Sequence, residues 1–183
     1  GAYVREIAEE RCREAGRLCG MLERVRTETE AWKLAGMVIM TLADAVAVFH
    51  HEYFHFGLKR QFEDLMKMQE VPEEIVEGYR SVVKAASGDE AAAYARKMLA
   101  DVCRHLGIAV PVQAAVEDAS PGGGAIDGMQ LAGLYEEISS TFNKIYVCCE
   151  AGNAVLAFLS AVCLQRELDE VGEYDLLEAF DHR

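Results

Sequence analysis

From Leu34 to Phe49 the chain runs for 16 residues with Thr41 and Asp44 as its only polar side chains. A helix that is apolar on nearly every side has to be surrounded by other elements. The run is shorter than the roughly 20 residues a bilayer requires, and it carries an acid. It therefore predicts the central helix of a bundle, without a membrane, within a longer helical segment over 30–56. Asp44 inside that run needs a partner, and a structural ion pair is the favoured reading.

The flanking segments read as the rest of such a bundle. Over 3–26, Val4, Ile7, Ala8, Cys12, Ala15, Leu18, Cys19, Leu22 and Val25 recur at intervals of three and four, the period of an amphipathic helix. Thr27 or Thr29 caps the next helix. Gly57 interrupts the pattern, and 58–69 reads as a short amphipathic helix. Pro72 suits the first turn of a helix through Ala86. Asp89 caps a further helix that Gly107 closes after Leu106. Residues 108–125 hold two of the three prolines and the Gly122-Gly123-Gly124 triplet, which lacks the strand and the Lys-Ser/Thr of a phosphate loop. They predict a linker. Asp127 then caps a helix to about Glu150, Gly152-Asn153 separates it from a helix over 154–171, and a last short helix spans 174–181. No segment alternates with period two long enough for a strand. The expected fold class is all-α: an antiparallel helical bundle over 1–107, a linker over 108–125 and a C-terminal helical hairpin over 126–183 that packs back on the bundle as one compact domain.

Composition narrows the function classes. Hydrophobic residues make up 51% of the 183, which excludes a disordered chain. The net charge of −13 argues against general nucleic-acid binding and against an anionic membrane surface. Residues 1–105 hold 15 of the 18 Lys and Arg, whereas 106–183 hold three cations against 13 acids. An anionic group is thus expected to meet the first part, and a cationic one the second. Six cysteines without a CxxC pair read as reduced thiols of a cytoplasmic protein. The chain begins Gly1-Ala2 without Met, which reads as a piece of a protein that is longer at its N-terminus.

The sharpest local pattern is FHHEYFHFG over 49–57, which contains His51-Glu52-Tyr53-Phe54-His55, an HExxH. On a helix, His51 and His55 would share a face and could chelate Zn²⁺, with Glu52 polarising a bound water. Asp44 lies on the same stripe. No further histidine pair supplies a third ligand; Glu70, Glu73, Glu74 and Glu77 are merely at hand. Just beyond, Tyr53, Lys59 and Arg60 mark where the apolar helix turns polar, and the two cations suit a phosphate or carboxylate. A third candidate lies in EEISSTFNKIY over 136–146. Glu136, Ser140 and Asn143 share a helix face there, as a polar pocket lining or as an interhelical hydrogen-bonded contact.

The stretch from Ala43 to about Leu106 resembles the helical C-terminal region of nucleotidyltransferases of the DNA polymerase β superfamily, which includes the aminoglycoside and lincosamide nucleotidyltransferases. The resemblance rests on an apolar helix ending in Glu52-Tyr53-Phe54, then Gly57-x-Lys59-Arg60, a short helix, the Pro72 helix start and an Ala-rich helix after an acidic cap. It implies a helical wall of a substrate cleft, faced by Tyr53, Lys59 and Arg60. It also implies an N-terminal catalytic domain with Mg²⁺ and nucleotide on a Gly-Ser turn and a D-x-D strand. Neither of those motifs stands in this chain, and His51, Glu52 and His55 depart from the family's plainer residues. The expectation is a non-catalytic substrate-binding or interaction domain of a nucleotidyltransferase-like protein. It holds no cofactor of its own and meets a small, cationic acceptor such as an amino-sugar. The alternatives are a metal-dependent hydrolase with Zn²⁺ on His51 and His55, and a helical scaffold that forms a homodimer.

Overall fold

The computed structural model describes residues 2–54, 57, 60–111 and 128–171. Among them are seven helices and no strand, as the all-α reading expects: α1 (Ala2–Met21), α2 (Glu28–Phe49), α3 (Gln61–Lys67), α4 (Glu73–Lys84), α5 (Gly88–Leu106), α6 (Gly128–Glu150) and α7 (Ala154–Val171). The chain divides into two compact units, Gly1–Val116 and Glu117–Arg183, a boundary that falls inside the expected linker. The triple glycine, Asp127 and the expected helix over 174–181 lie outside the described residues.

In the first unit α2 is the centre, packed by α1 and α5, with α4 on α5. Leu34, Ala35, Val38, Ile39, Leu42, Ala43, Ala45 and Val46 are all buried. At 22 residues α2 is, by length and composition, apolar enough to cross a membrane, and 61% of its apolar window is buried inside the protein. The buried face of α1 is mostly small residues: Ala8, Cys12, Ala15, Gly16, Cys19 and Gly20, with Leu18 beside them. Its outer face carries the pairs Arg5–Glu9, Arg13–Glu10 and Arg11–Glu14. Each such exposed pair contributes only a few tenths of a kcal/mol. At Gly16 a Cβ would come within 2.9 Å of the Pro111 ring, so the segment after α5 lies directly on the α1 backbone.

The helix ends show why the elements begin and stop where they do. Thr27 caps α2 by accepting from the Glu30 N–H at 3.2 Å. Ser87, rather than the expected Asp89, caps α5 by accepting from the Glu90 N–H at 3.2 Å, and the Glu90 carboxylate reaches back to the Ala86 N–H at 2.6 Å. Pro72 stands one residue before α4, at its N-cap. Gly107 closes α5 in the left-handed region, φ 62°, while Ile108 N–H reaches Cys103 O. Gly152 does the same for α6 at φ 70°, and the Asn153 side chain accepts from the Leu156 N–H to start α7. In the second unit α6 and α7 pack against each other, with Cys148, Ala157, Leu159, Val162 and Leu164 buried.

One end departs from the sequence reading. The helix expected to run to residue 56 stops at Phe49. His51 adopts φ 58°, its N–H bonding to Val48 O and the Glu52 N–H to Ala47 O. This is the glycine-type helix stop with histidine in the left-handed position, which costs a side-chain-bearing residue about 1 kcal/mol or more. His51 is exposed, so its side chain is not a packing element. His51→Gly is expected to raise stability by about 0.5–1 kcal/mol in urea denaturation.

Asp44 is half-buried. It accepts from Gln61 Nε2 at 3.2 Å, so its partner is an amide in place of the expected ion pair. Gln61 also accepts from the Tyr79 hydroxyl at 2.8 Å, which ties α2, α3 and α4 together. Burial pushes the Asp44 carboxyl above its ordinary 3.8, against the opposing pull of Arg11 and the Gln61 bond, with Glu14 adding to the rise. A carboxyl whose folded pKa is raised stabilises the protein least when ionised. The penalty is absent below about pH 3.8, grows as pH rises through the raised value, and is complete above it. Asp44→Asn keeps an acceptor for Gln61. It is expected to stabilise the protein at pH 7, with the gain shrinking towards the acid edge of the folded range.

Candidate functional site: an acid–imidazole cleft

The stop at Phe49 throws His50 and Glu52 out of the helix towards the segment that joins α3 to α4. His50 is the C-cap residue of α2, its side chain 11% exposed. Its Nδ1 lies 3.0 Å from Glu70 Oε2 and its Nε2 lies 2.9 Å from His105 Nε2. His105 sits in the last turn of α5, where the helix dipole favours a cation. The two rings are 5.2 Å apart between centroids, and Phe49 meets the His50 ring edge-on at 5.5 Å. Residues 50, 70 and 105 therefore converge from three elements.

A cleft of about 410 Å³ opens beside them, lined by His50, Glu52, Lys67, Met68, Gln69 and Glu70. Its lining includes two carboxylates, one ammonium and one imidazole. The Lys67 ammonium also leans 3.7 Å from Asp64 Oδ1, which takes up part of its charge. Burial, helped by the nearby His50, holds the His105 imidazole below its usual range, while Glu74 and Glu70 pull the other way. The lining is mostly polar, so what it offers a small molecule is ionic and hydrogen-bonding contact in place of apolar burial.

The candidates named from the sequence fall differently. Glu52 lines the cleft. His51 is exposed in the left-handed turn, and residues 51–54 are not helical, so the helical spacing that would pair His51 with His55 is not formed. His55 and Lys59 lie outside the described residues. Tyr53 is exposed, and Arg60 is exposed and bonds Glu63 at 3.1 Å. Glu136, Ser140 and Asn143 are all exposed on α6, in the second unit. Among the described residues no group of three or more His, Cys, Asp or Glu is arranged to hold a metal ion. His50, Lys67, Glu70 and His105 were not legible as a set. The one local signal was the second histidine in FHHE, and no spacing rule links it to positions 70 and 105.

The cysteines behave as packing residues. All six are free; Cys12, Cys19, Cys103 and Cys148 are buried, and Cys149 is exposed. Burial pushes the Cys19 thiol up to about 12. Cys12 is raised too, chiefly by its hydrogen bond to Cys103 and then by burial.

Comparison with protein-family models, with curated proteins and with solved structures returned no match.

Proposed function

We propose that the first unit is a helical binding module, non-catalytic in itself, whose acid–imidazole cleft receives a small cationic molecule. The reading keeps the substrate-binding role and the amino-sugar acceptor class expected from the sequence, but on a cleft lined by other residues than Tyr53, Lys59 and Arg60, and in the first part of the chain, where an anionic group was the expectation. The observation that carries it is the cleft lining. Glu52 and Glu70 line the cleft with two carboxylates, of which Glu70 also meets His50 Nδ1 through one oxygen, and the single lining ammonium, Lys67, is drawn to Asp64. An ammonium group gains charge-assisted bonds to those carboxylates, whereas a phosphate would meet two like charges. The anionic half of a reaction would then be handled elsewhere, in a separate catalytic domain.

Thermal unfolding of the full chain tests this. A primary-amine sugar such as glucosamine, at saturating concentration, is expected to raise the midpoint, since a ligand at 100 times its Kd adds about 2.7 kcal/mol. ATP and inorganic phosphate are expected to leave it unchanged. The double substitution Glu52→Gln and Glu70→Gln should abolish the amine effect while the protein stays folded. Stabilisation by ATP but not by the amine would assign the cleft to an anion and overturn the reading.

A further inference from the structure

His105 does not line the cleft, yet its Nε2 touches the Nε2 of the imidazole that does. The hydrogen-bond inventory of this chain of groups is restrictive. The Glu70 carboxylate accepts, so His50 Nδ1 carries a proton. Two Nε2 atoms at 2.9 Å hold one proton between them, since two N–H groups would point at each other and two lone pairs would repel. Counting from there, the pair is neutral when His105 Nδ1 is bare and carries one positive charge when that nitrogen is protonated. A second charge requires the Nε2 contact to open. Burial of His105 and its nearness to His50 work in the same direction.

We propose that His50 and His105 act as one single-proton unit behind the cleft, and that His105, working through His50, sets the affinity of the cleft for a cation. The inference rests on the cation reading above and adds its regulation. The groups that face the pair are Glu52 just after α2, Lys67 at the end of α3, Glu70 in the following segment and Glu74 on α4. On α5 itself, Arg104 is paired with Asp101 at 2.9 Å. With the pair neutral, the two carboxylates of the cleft outweigh Lys67, and a cation is favoured. With the pair charged, that excess is gone. A cation in the cleft then faces the shared charge through His50, which lines the cleft, and like charges repel. Binding of a cation therefore expels a proton, and affinity rises with pH, by at most about tenfold per pH unit because one proton is released.

The test combines two measurements on the full chain. In the first, nitrogen NMR of the histidine rings is followed from pH 5.5 to 8.5. The expected result is that His50 Nδ1 stays protonated throughout while the two rings take up one proton in common. Two independent one-proton titrations would overturn the shared unit. In the second, calorimetry with agmatine, whose charges do not change over this range, is run at pH 6 and pH 8 on the natural protein and on His105→Gln. The glutamine amide can donate to His50 Nε2 as neutral His105 does, but it takes up no proton. The natural protein should bind more tightly at pH 8, releasing protons, and the variant should bind equally at both pH values with the high-pH affinity. Equal affinity at both pH values in the natural protein, or pH dependence retained by the variant, overturns the inference and leaves the cleft reading intact. A shared proton with no agmatine binding at any pH overturns the cation reading itself, and the role of His105 in setting affinity with it.

Discussion

Replacing Gly88 by alanine is expected to destabilise the first unit by about 2 kcal/mol, although alanine is the better helix former. Gly88 is the first residue of α5 and is buried. A Cβ built there would lie 2.6 Å from the Ala31 Cβ and 2.9 Å from Glu28 Oε2. The first of these is short, rigid and fixed to the backbone of α2, so a rotamer change cannot relieve it. The start of α5 has to move away from the start of α2, which also loosens the bond from the Gly88 N–H to the Glu28 carboxylate. That bond satisfies one of the unpaired N–H groups at the helix start. Gly78→Ala is the control. Its Cβ would meet the flexible Met98 side chain at 3.2 Å and 3.3 Å. Helix propensity and mild crowding there oppose each other, and the change should stay within about 0.5 kcal/mol. Urea denaturation of both variants checks the pair. A Gly88→Ala protein as stable as the parent would mean that α2 and α5 do not approach as closely as described.

Gln61→Ala should cost about 2–4 kcal/mol, more than its polarity suggests. Gln61 is 3% exposed and joins three helices through one amide. Its nitrogen donates to Asp44 Oδ1 and to the Met40 carbonyl at 3.4 Å, and its oxygen accepts from Tyr79, which is wholly buried. Truncation removes an acceptor from a buried phenol and a donor from a carboxylate that burial already disfavours. It also leaves a hole where the side chain stood. Part of this loss belongs to the pair with Tyr79. A double-mutant cycle with Tyr79→Phe should return a coupling of about 1–2 kcal/mol. A loss below about 1 kcal/mol would show that the network is solvated. Asp44→Asn, expected to stabilise, separates the cost of the charge from the cost of the missing bonds.

How much of this was legible in the residues depended on whether the signal was local. The central helix followed from the Leu34–Phe49 run, because no surface position tolerates so continuous an apolar stretch. Gly107 and Gly152-Asn153 marked their stops because glycine adopts the left-handed turn without strain and asparagine caps the next helix. The end of α2 was misjudged for the converse reason. The pattern remains helix-compatible to Gly57, and the chain in fact turns at His51, where nothing in the residue type announces a positive φ. That early turn dissolves the helical HExxH and sends His50 and Glu52 into the cleft. The cleft itself was hidden because its partners lie 20 and 55 residues from His50. Only the packing of α2 against α5, with the α3–α4 segment reaching the end of α2, brings them together. Glu52 stands out in the sequence for a chemistry that depends on helical geometry, and its position in the cleft owes nothing to that geometry.

On the proposed reading the end of α2 and the end of α3 with the segment after it line one ligand cleft, and His105 in the last turn of α5 backs it through His50. That arrangement is tested most directly by backbone amide NMR of the full chain titrated with glucosamine. Saturable shifts are expected at residues 50–52 and 67–70, with weaker ones at 104–106 behind them, all lost in the Glu52→Gln and Glu70→Gln double variant. Shifts confined to α6 around Glu136, Ser140 and Asn143, or a response equal in the double variant, would contradict it.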